Sequence, residues 1–339
     1  MRPIPAFALA LLCLTRPTIA GEATFSSDGK TLWASPFDEK SGNLLALRKG
    51  TAPIQLPLPK EIRDDGGTRA IESDGGALLI AGEHFLWSWE PGKPDGVSQK
   101  LAPLPDRLFP TGVHRMQEGA LKGTAFLTGA YYFDTQHPKP ADFDEFRTFF
   151  GLRPGAKAFG EVFVRRVDTM TAAPAFSRDC LVFGGNGDIW TGSLTDMGED
   201  ENVRPYTLNG YRCAPVAFWN TNFINAGSLN VHEVAIAGDF VWAGLRGRHM
   251  AALMKVPLMK YSERWENADL AGAWKIASKQ LADAKVVDLP EDSDRVSGLC
   301  SWNGPHGEWK VACCTNLRTW WLWQNDSKSP TKLGDDPTR

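Results

Sequence analysis

Phe25-Ser-Ser-Asp-Gly-Lys-Thr-Leu-Trp-Ala-Ser35 reads as a short strand, a turn on Asp28-Gly29 and a second strand. The pattern returns in Ile71-Glu-Ser-Asp-Gly-Gly-Ala-Leu-Leu-Ile-Ala-Gly82, in residues 116–129 (MQEGALKGTAFLTG) and in Phe176-Ser-Arg-Asp-Cys-Leu-Val-Phe-Gly-Gly185. Weaker copies occupy residues 234–244 (VAIAGDFVWAG) and 298–314, where Gly298-Leu-Cys-Ser-Trp-Asn-Gly runs on to Trp309-Lys-Val-Ala-Cys-Cys314. A third strand, usually aromatic, follows most copies: Asn43-Leu-Leu-Ala-Leu47, His84-Phe-Leu-Trp-Ser-Trp89, residues 188–194, residues 249–255 and Thr319-Trp-Trp-Leu-Trp323. A fourth begins near Ile54, Val97, Arg204 and Lys285. Proline in two of these is tolerated because an outermost strand needs fewer ladder donors.

Second strands begin near residues 31, 78, 124, 181, 241 and 310. A four-stranded antiparallel unit recurring at about 50 residues is the size of a β-propeller blade. Such a sheet has two faces to bury, and radial packing against two neighbours covers both. Trp33, Trp87, Trp190, Trp242 and Trp321 recur in second and third strands, where large flat side chains fill the wide outer gap between splayed blades. The expected fold is all-β, a six-bladed propeller over residues 21–339. Seven blades is the alternative count, because residues 210–230 are long for a connector.

The segments beginning at Phe25 and Phe176 resemble the Phe-Ser-Pro-Asp-Gly-Lys blade motif of the TolB-like and WD40-like propellers, with Ser27 and Arg178 where that motif has proline. The resemblance implies a fold. It covers scaffolding proteins, lactonases, lyases, sialidases and peptidase lids alike, so it implies no single activity.

Two stretches interrupt the repeat. Residues 142–150 (DFDEFRTFF) carry helical spacing of apolar residues. Residues 261–284 (YSERWENADLAGAWKIASKQLADA) read as a helical insertion with Trp265, Leu270 and Trp274 on one stripe. Such an insertion either shapes a rim surface or packs on a blade flank.

The composition, 42% hydrophobic and 23% charged, excludes a disordered or coiled-coil chain, and 33 Gly with 23 Pro exclude a helix bundle. A net charge of −3 excludes an electrostatic nucleic-acid binder. At the N-terminus, Arg2, the apolar run Ala6–Leu14 and the small residues before Gly21 read as a cleaved secretory signal over residues 1–20. The run is too short to span a bilayer. Removing it takes away Arg2 and Arg16 and no acid, which moves the net charge from −3 to −5. The mature chain is expected to be exported, periplasmic or extracellular, and monomeric, with no membrane span.

In an oxidising compartment cysteines are disulfide candidates first. Cys300 on a first strand with Cys313 or Cys314 on the second is the expected cross-strand pair, and Cys180 with Cys213 a further one.

No phosphate-cradling loop, Gly-x-Ser-x-Gly elbow or His-Glu-x-x-His helix occurs. Val231-His232-Glu233 is a bare pair whose side chains a strand sends to opposite faces. Arg69, His114, Arg115, His232 and Arg295 each precede a first turn, so as inner-strand residues they are expected at one channel mouth, a ring suited to an anion. For metal-assisted chemistry the channel would instead offer Glu72, Glu118, Glu233 and Asn230 to a calcium ion. The expected function is therefore a binding module, taking a small molecule or a protein at the channel mouth or rim without a cofactor. The alternative is a lactonase-like hydrolase or lyase using the channel.

Overall fold

The Asp28-Gly29 turn sets the pattern that the rest of the chain repeats. Asp28 Oδ1 accepts hydrogen bonds from Ser26 Oγ (2.7 Å) and the Lys30 amide (3.0 Å), and the Gly29 amide donates to the Ser26 carbonyl (2.8 Å). These donors hold the Asp28 carboxyl below its ordinary pKa. Gly29 lies at φ +65°, the left-handed region that glycine enters without strain.

Such turns join the first two strands of successive antiparallel sheets in a computed structural model of the chain. It describes residues 23–36, 42–93, 97–131, 149–165, 174–176, 181–184, 188–197, 205–215, 230–246, 251–258, 285–287, 289–290, 296–315, 318–325, 327 and 329–337. One sheet runs β1 (Ala23–Phe25), β2 (Leu32–Ala34), β3 (Asn43–Leu47), β4 (Ile54–Pro57). After the short helix α1 (Lys60–Asp64), a second runs β5 (Ala70–Asp74), β6 (Ala77–Ala81), β7 (Phe85–Trp89), β8 (Ser98–Pro103). The next strands are β9 (Leu108–Arg115), β10 (Ala125–Tyr131), β11 (Phe149–Leu152) and β12 (Gly160–Arg165), then β13 (Ala175–Phe176), β14 (Leu181–Gly184), β15 (Asp188–Asp196) and β16 (Tyr206–Pro215). Two further four-stranded sheets follow in the same order: β17 (Asn230–Ala237), β18 (Phe240–Arg246), β19 (Ala251–Pro257), β20 (Lys285–Val287), and β21 (Val296–Asn303), β22 (Trp309–Thr315), β23 (Thr319–Gln324), β24 (Thr331–Asp335).

The architecture is a β-propeller, with one departure from the expected set of separate sheets. β9–β12 and β13–β16 form a single eight-stranded sheet, because the outermost strands β12 and β16 pair in parallel over Val162↔Tyr206 to Arg165↔Asn209. The sheets are therefore four of four strands and one of eight. Edge-to-edge pairing satisfies two rows of backbone groups that would otherwise face water.

Apolar seams join consecutive groups of strands. Leu44 and Ile62 meet Ile71, Ile80 and Trp87. Leu79 and Leu86 meet Val113, Leu127 and Phe150. Phe126 and Phe149 meet Phe183 and Tyr206, and Val182 meets Val231 and Ile236. Trp242 and Leu253 meet Val311 and Trp323. The last sheet returns to the first, with Ala312, Trp320 and Leu322 against Phe25, Leu32 and Leu45. The tryptophans pack between sheets, as expected from their recurrence.

Several expectations need correction. Phe149 and Phe150 lie in strand β11, not in a helix; buried in the seams on opposite faces of their sheet, they follow a period of two rather than 3.6. Gly210 to Pro215 belong to β16 rather than to a connector. Cys300, Cys313 and Cys314 are free thiols. Cys300 stands opposite Ala312, so Cys313, one residue on, points to the other face of its strand, while Cys314 shares the face of Cys300 but pairs with Gly298 and is not bonded to it. Residues 1–20, the proposed insertion 261–284, Cys180, and the Cys213 side chain lie outside the described residues. Among the described residues no helix is long and apolar enough to cross a membrane.

Candidate functional site: the central channel

The first strand of each group is innermost, and these strands line a half-open cavity of about 180 Å³. Small residues such as Ala23, Gly112, Ala235 and Gly298 let their backbones converge there. Three functional side chains enter the same space. Glu72, at mid-β5, lies on the face that meets the third group of strands, and its Oε1 is 3.4 Å from His114 Nδ1 on β9. The His114 ring stacks on Phe176, centroid to centroid 4.1 Å with 6° between planes. Stacking and the carboxylate together fix the imidazole's position.

Glu233 reaches the cavity from β17 at a β-bulge, where the register slips between Val231 and Glu233 and His232 is the extra residue. Glu233 is half-buried and lines the channel pocket. Burial pushes its pKa up to about 8, which favours the neutral acid at pH 7. Cys300 lies beside it on β21. Burial first, and then the charges of Glu72 and Glu233, push that thiol well above its ordinary range, which makes it a poor nucleophile.

Among the described residues, those expected to ring one mouth do not all lie at the same end of the channel. Arg69 precedes β5 and Arg115 ends β9 beside Asp74, at the other end of β5, so the two lie at opposite ends of strands about 17 Å long. Arg69 packs its guanidinium over the Phe109 ring (4.9 Å) and approaches Glu83 at 4.0 Å. Arg115 Nη1 donates to Asp74 Oδ2 (2.6 Å), tying neighbouring inner strands together. His232 is half-buried and outside the cavity lining, and Arg295 is outside the described residues. Of the four that are described, His114 alone lines the cavity. Of the carboxylates considered for a metal, Glu72 and Glu233 line it, Glu118 is exposed on the β9–β10 loop, and the Asn230 side chain is not described. Among the described residues no three of His, Cys, Asp and Glu gather as a metal site.

Sequence reasoning missed Phe176 as the platform for His114, although it occupies the motif position of Phe25. It also missed Asn303, which bridges two hairpins: its Nδ2 donates to the Ile236 carbonyl and its Oδ1 accepts from the Gly238 amide, both at 2.8 Å.

No protein-family model and no curated protein matches the chain. Solved β-propellers do. A gluconolactonase from Xanthomonas campestris is 12% identical with a TM-score of 0.50, the match covering 91% of this chain and 86% of that one. A luciferin-regenerating enzyme is 10% identical with a TM-score of 0.50, covering 87% and 84%. The Cps50 (Swd1) β-propeller domain of Myceliophteria thermophila is 12% identical with a TM-score of 0.40, covering 87% and 80%. At such identities the likeness is one of fold alone.

Proposed function

We propose that this chain is an exported, monomeric binding module that takes a small ligand into the central channel. Its repeat counts as six blades of the TolB-like or WD40-like kind, the third and fourth fused edge to edge. The seams that return the last sheet to the first support that count. The observation that carries the binding reading is that Glu72, His114 and Glu233 line one channel cavity. A few polar groups that converge on one concave pocket are what orient a small ligand. The export reading rests on residues 1–20 alone.

A hydrolase or lyase using a channel calcium ion is the second reading. Glu72 and Glu233 supply hard oxygen donors for it, well short of the six to eight such an ion takes. Thermal unfolding in the presence of small amines, carboxylates, sugars and calcium chloride tests both readings. The binding reading expects one organic class to raise Tm in the wild type and not in Glu72→Gln/Glu233→Gln. Stabilisation by calcium alone would favour the enzyme. No response to any class, or equal responses in both proteins, would remove the binding reading.

A further inference from the structure

We propose that an open groove at the turn end of the last sheet binds a neutral pyranose sugar, stacked on Trp302 and held at its edge by Glu308, Lys310 and Gln324. The groove shares no lining residue with the channel, so the proposal stands or falls independently of the channel reading above.

Strand register builds the site. Trp302 pairs with Lys310 across β21 and β22, and Lys310 pairs with Gln324 across β22 and β23. Residues paired in this way share a face, so an indole, an ammonium and an amide stand in one row. Neighbouring strands lie about 4.8 Å apart, which spreads the row over roughly 10 Å, wide enough for a sugar ring. With Glu308, Asn325 and Ser327 these side chains line a groove of about 380 Å³, within the range of small-molecule sites.

The indole is fixed before any ligand arrives. Trp302 Nε1 donates to the Ser27 carbonyl (3.0 Å), and Lys310 Nζ stands 5.3 Å from the ring centroid. Gly29 lies so close that a Cβ there would be 2.6 Å from the ring. Trp302 is nonetheless only half-buried, and a held aromatic surface takes a ligand at little entropic cost. Glu308 stands at the edge of the same ring. A Cβ on Gly304 would lie 2.5 Å from Trp302 Cη2 and 2.6 Å from Glu308 Oε2, so glycine keeps open the corner that both border. Glu308 Oε2 accepts from the His306 amide (3.0 Å), and hydrogen bonds from its own amide and that of His306 hold the carboxyl below its ordinary pKa.

The chemistry of this lining selects the ligand class. Among the described residues the Gln324 side-chain amide meets no protein donor or acceptor, and Lys310 spends one of its three N–H groups on the Gly29 carbonyl. An apolar ring face bordered by an amide, an ammonium and a carboxylate matches a pyranose, which has C–H groups on its faces and hydroxyls around its edge. Each hydroxyl both donates and accepts, so it can meet any of the three. A flat hydrocarbon would use the indole and leave the polar edge unmatched. An ion of either sign would meet a like charge, on Glu308 or on Lys310.

Isothermal titration and saturation-transfer NMR with the methyl glycosides of glucose, galactose and mannose test the proposal, with cyclohexanol, sodium glucuronate and glucosamine hydrochloride as comparisons. The proposal expects at least one glycoside to bind the wild type, its ring C–H protons receiving the strongest saturation. Cyclohexanol, which keeps the ring and lacks the circle of hydroxyls, should bind at least tenfold more weakly. Gln324→Ala and Glu308→Ala, both at the surface, should each weaken the glycoside about fivefold. Trp302→Leu should weaken it tenfold or more, with a melting curve to establish that the ring still closes; if it does not fold, the other two variants carry the test. The channel variant Glu72→Gln/Glu233→Gln must bind the glycoside as the wild type does. Absence of glycoside binding, or binding unchanged in both Gln324→Ala and Glu308→Ala, would overturn the proposal. So would equal binding of cyclohexanol, or tighter binding of glucuronate or glucosamine. Glycoside binding lost in the channel variant and kept in the groove variants would place the sugar in the channel: the groove proposal would fall and the channel reading stand.

Discussion

Asp65 accepts four contacts with one buried carboxylate. Oδ1 takes the His84 amide (2.9 Å) and meets His84 Nδ1 (3.1 Å), while Oδ2 takes the Phe85 amide (3.1 Å) and Trp87 Nε1 (2.7 Å). It sits just after α1, so this one side chain fastens the inter-sheet connection to the β6–β7 turn. Asp65→Ala would leave a buried indole N–H and two amides without partners, and we expect a loss of about 3 kcal/mol by urea denaturation. Glu233 acts in the opposite sense. Its ordinary value is 4.5 and its folded value about 8, so the folded state retains a proton that the unfolded chain releases. Stability therefore falls as pH rises from about 4.5 to 8 and the cost is complete above that. Glu233→Gln removes the cost: its Tm should exceed the wild type's by several degrees at pH 9 and match it near pH 4, by calorimetry. A Tm difference that does not change with pH would mean the carboxyl is solvated.

At the scale of the elements, the hairpin turns separate what glycine does by conformation from what it does by size. Gly29 and Gly75 share φ +65°, but a Cβ at Gly29 would lie 2.6 Å from the Trp302 ring, and at Gly75 it would meet nothing within 4 Å. Gly75→Ala should cost about 1 kcal/mol from the left-handed backbone alone. Gly29→Ala should cost about 2 kcal/mol more, since rigid backbone and a held indole both resist. Equal costs would mean that Trp302 does not press on the turn. The strands themselves were legible because alternating apolar residues bounded by Asp-Gly punctuation are a local signal, and β2, β6, β10, β14, β18 and β22 begin at or near the expected residues. β11 was not legible. Phe149-Phe-Gly-Leu152 follows an acidic run whose apolar spacing imitates a helix, and its pairing with β10 and β12 decides its state. The cysteines mislead for a related reason: spacing says which strands neighbour, but a one-residue register difference decides which face each thiol takes. Alkylation of the unfolded chain without reductant should label Cys300, Cys313 and Cys314 alike, read by mass spectrometry.

For the whole molecule, closure is made by contact between the two ends of the chain. Trp302 Nε1 donates to the Ser27 carbonyl (3.0 Å), Lys310 Nζ donates to the Gly29 carbonyl, and the apolar seam of Leu32, Leu45, Trp320 and Leu322 lies behind them. Among the described residues every sheet is built from consecutive strands, and none crosses from one end of the ring to the other to lock it. A chain lacking residues 296–339 would bare both Leu45 and Trp242 and should elute as aggregate in size-exclusion chromatography rather than as a smaller monomer. This long-range geometry is also why the site was only partly readable. Repeat position brought His114, Glu72 and Glu233 forward as channel residues, yet it assigned Arg69 and Arg115 to one mouth when they stand at opposite ends of the inner strands. A motif's place in the repeat does not say at which end of a strand each residue sits, and the neighbours that take up each guanidinium come from other sheets. The ring and its channel are tested together by the titration of Glu233, followed as the side-chain carboxyl resonance that disappears in Glu233→Gln. The account predicts a midpoint at about 8; a midpoint in the ordinary glutamate range of about 4 to 5 would mean that the carboxyl stands in open water and that the inner strands do not enclose it.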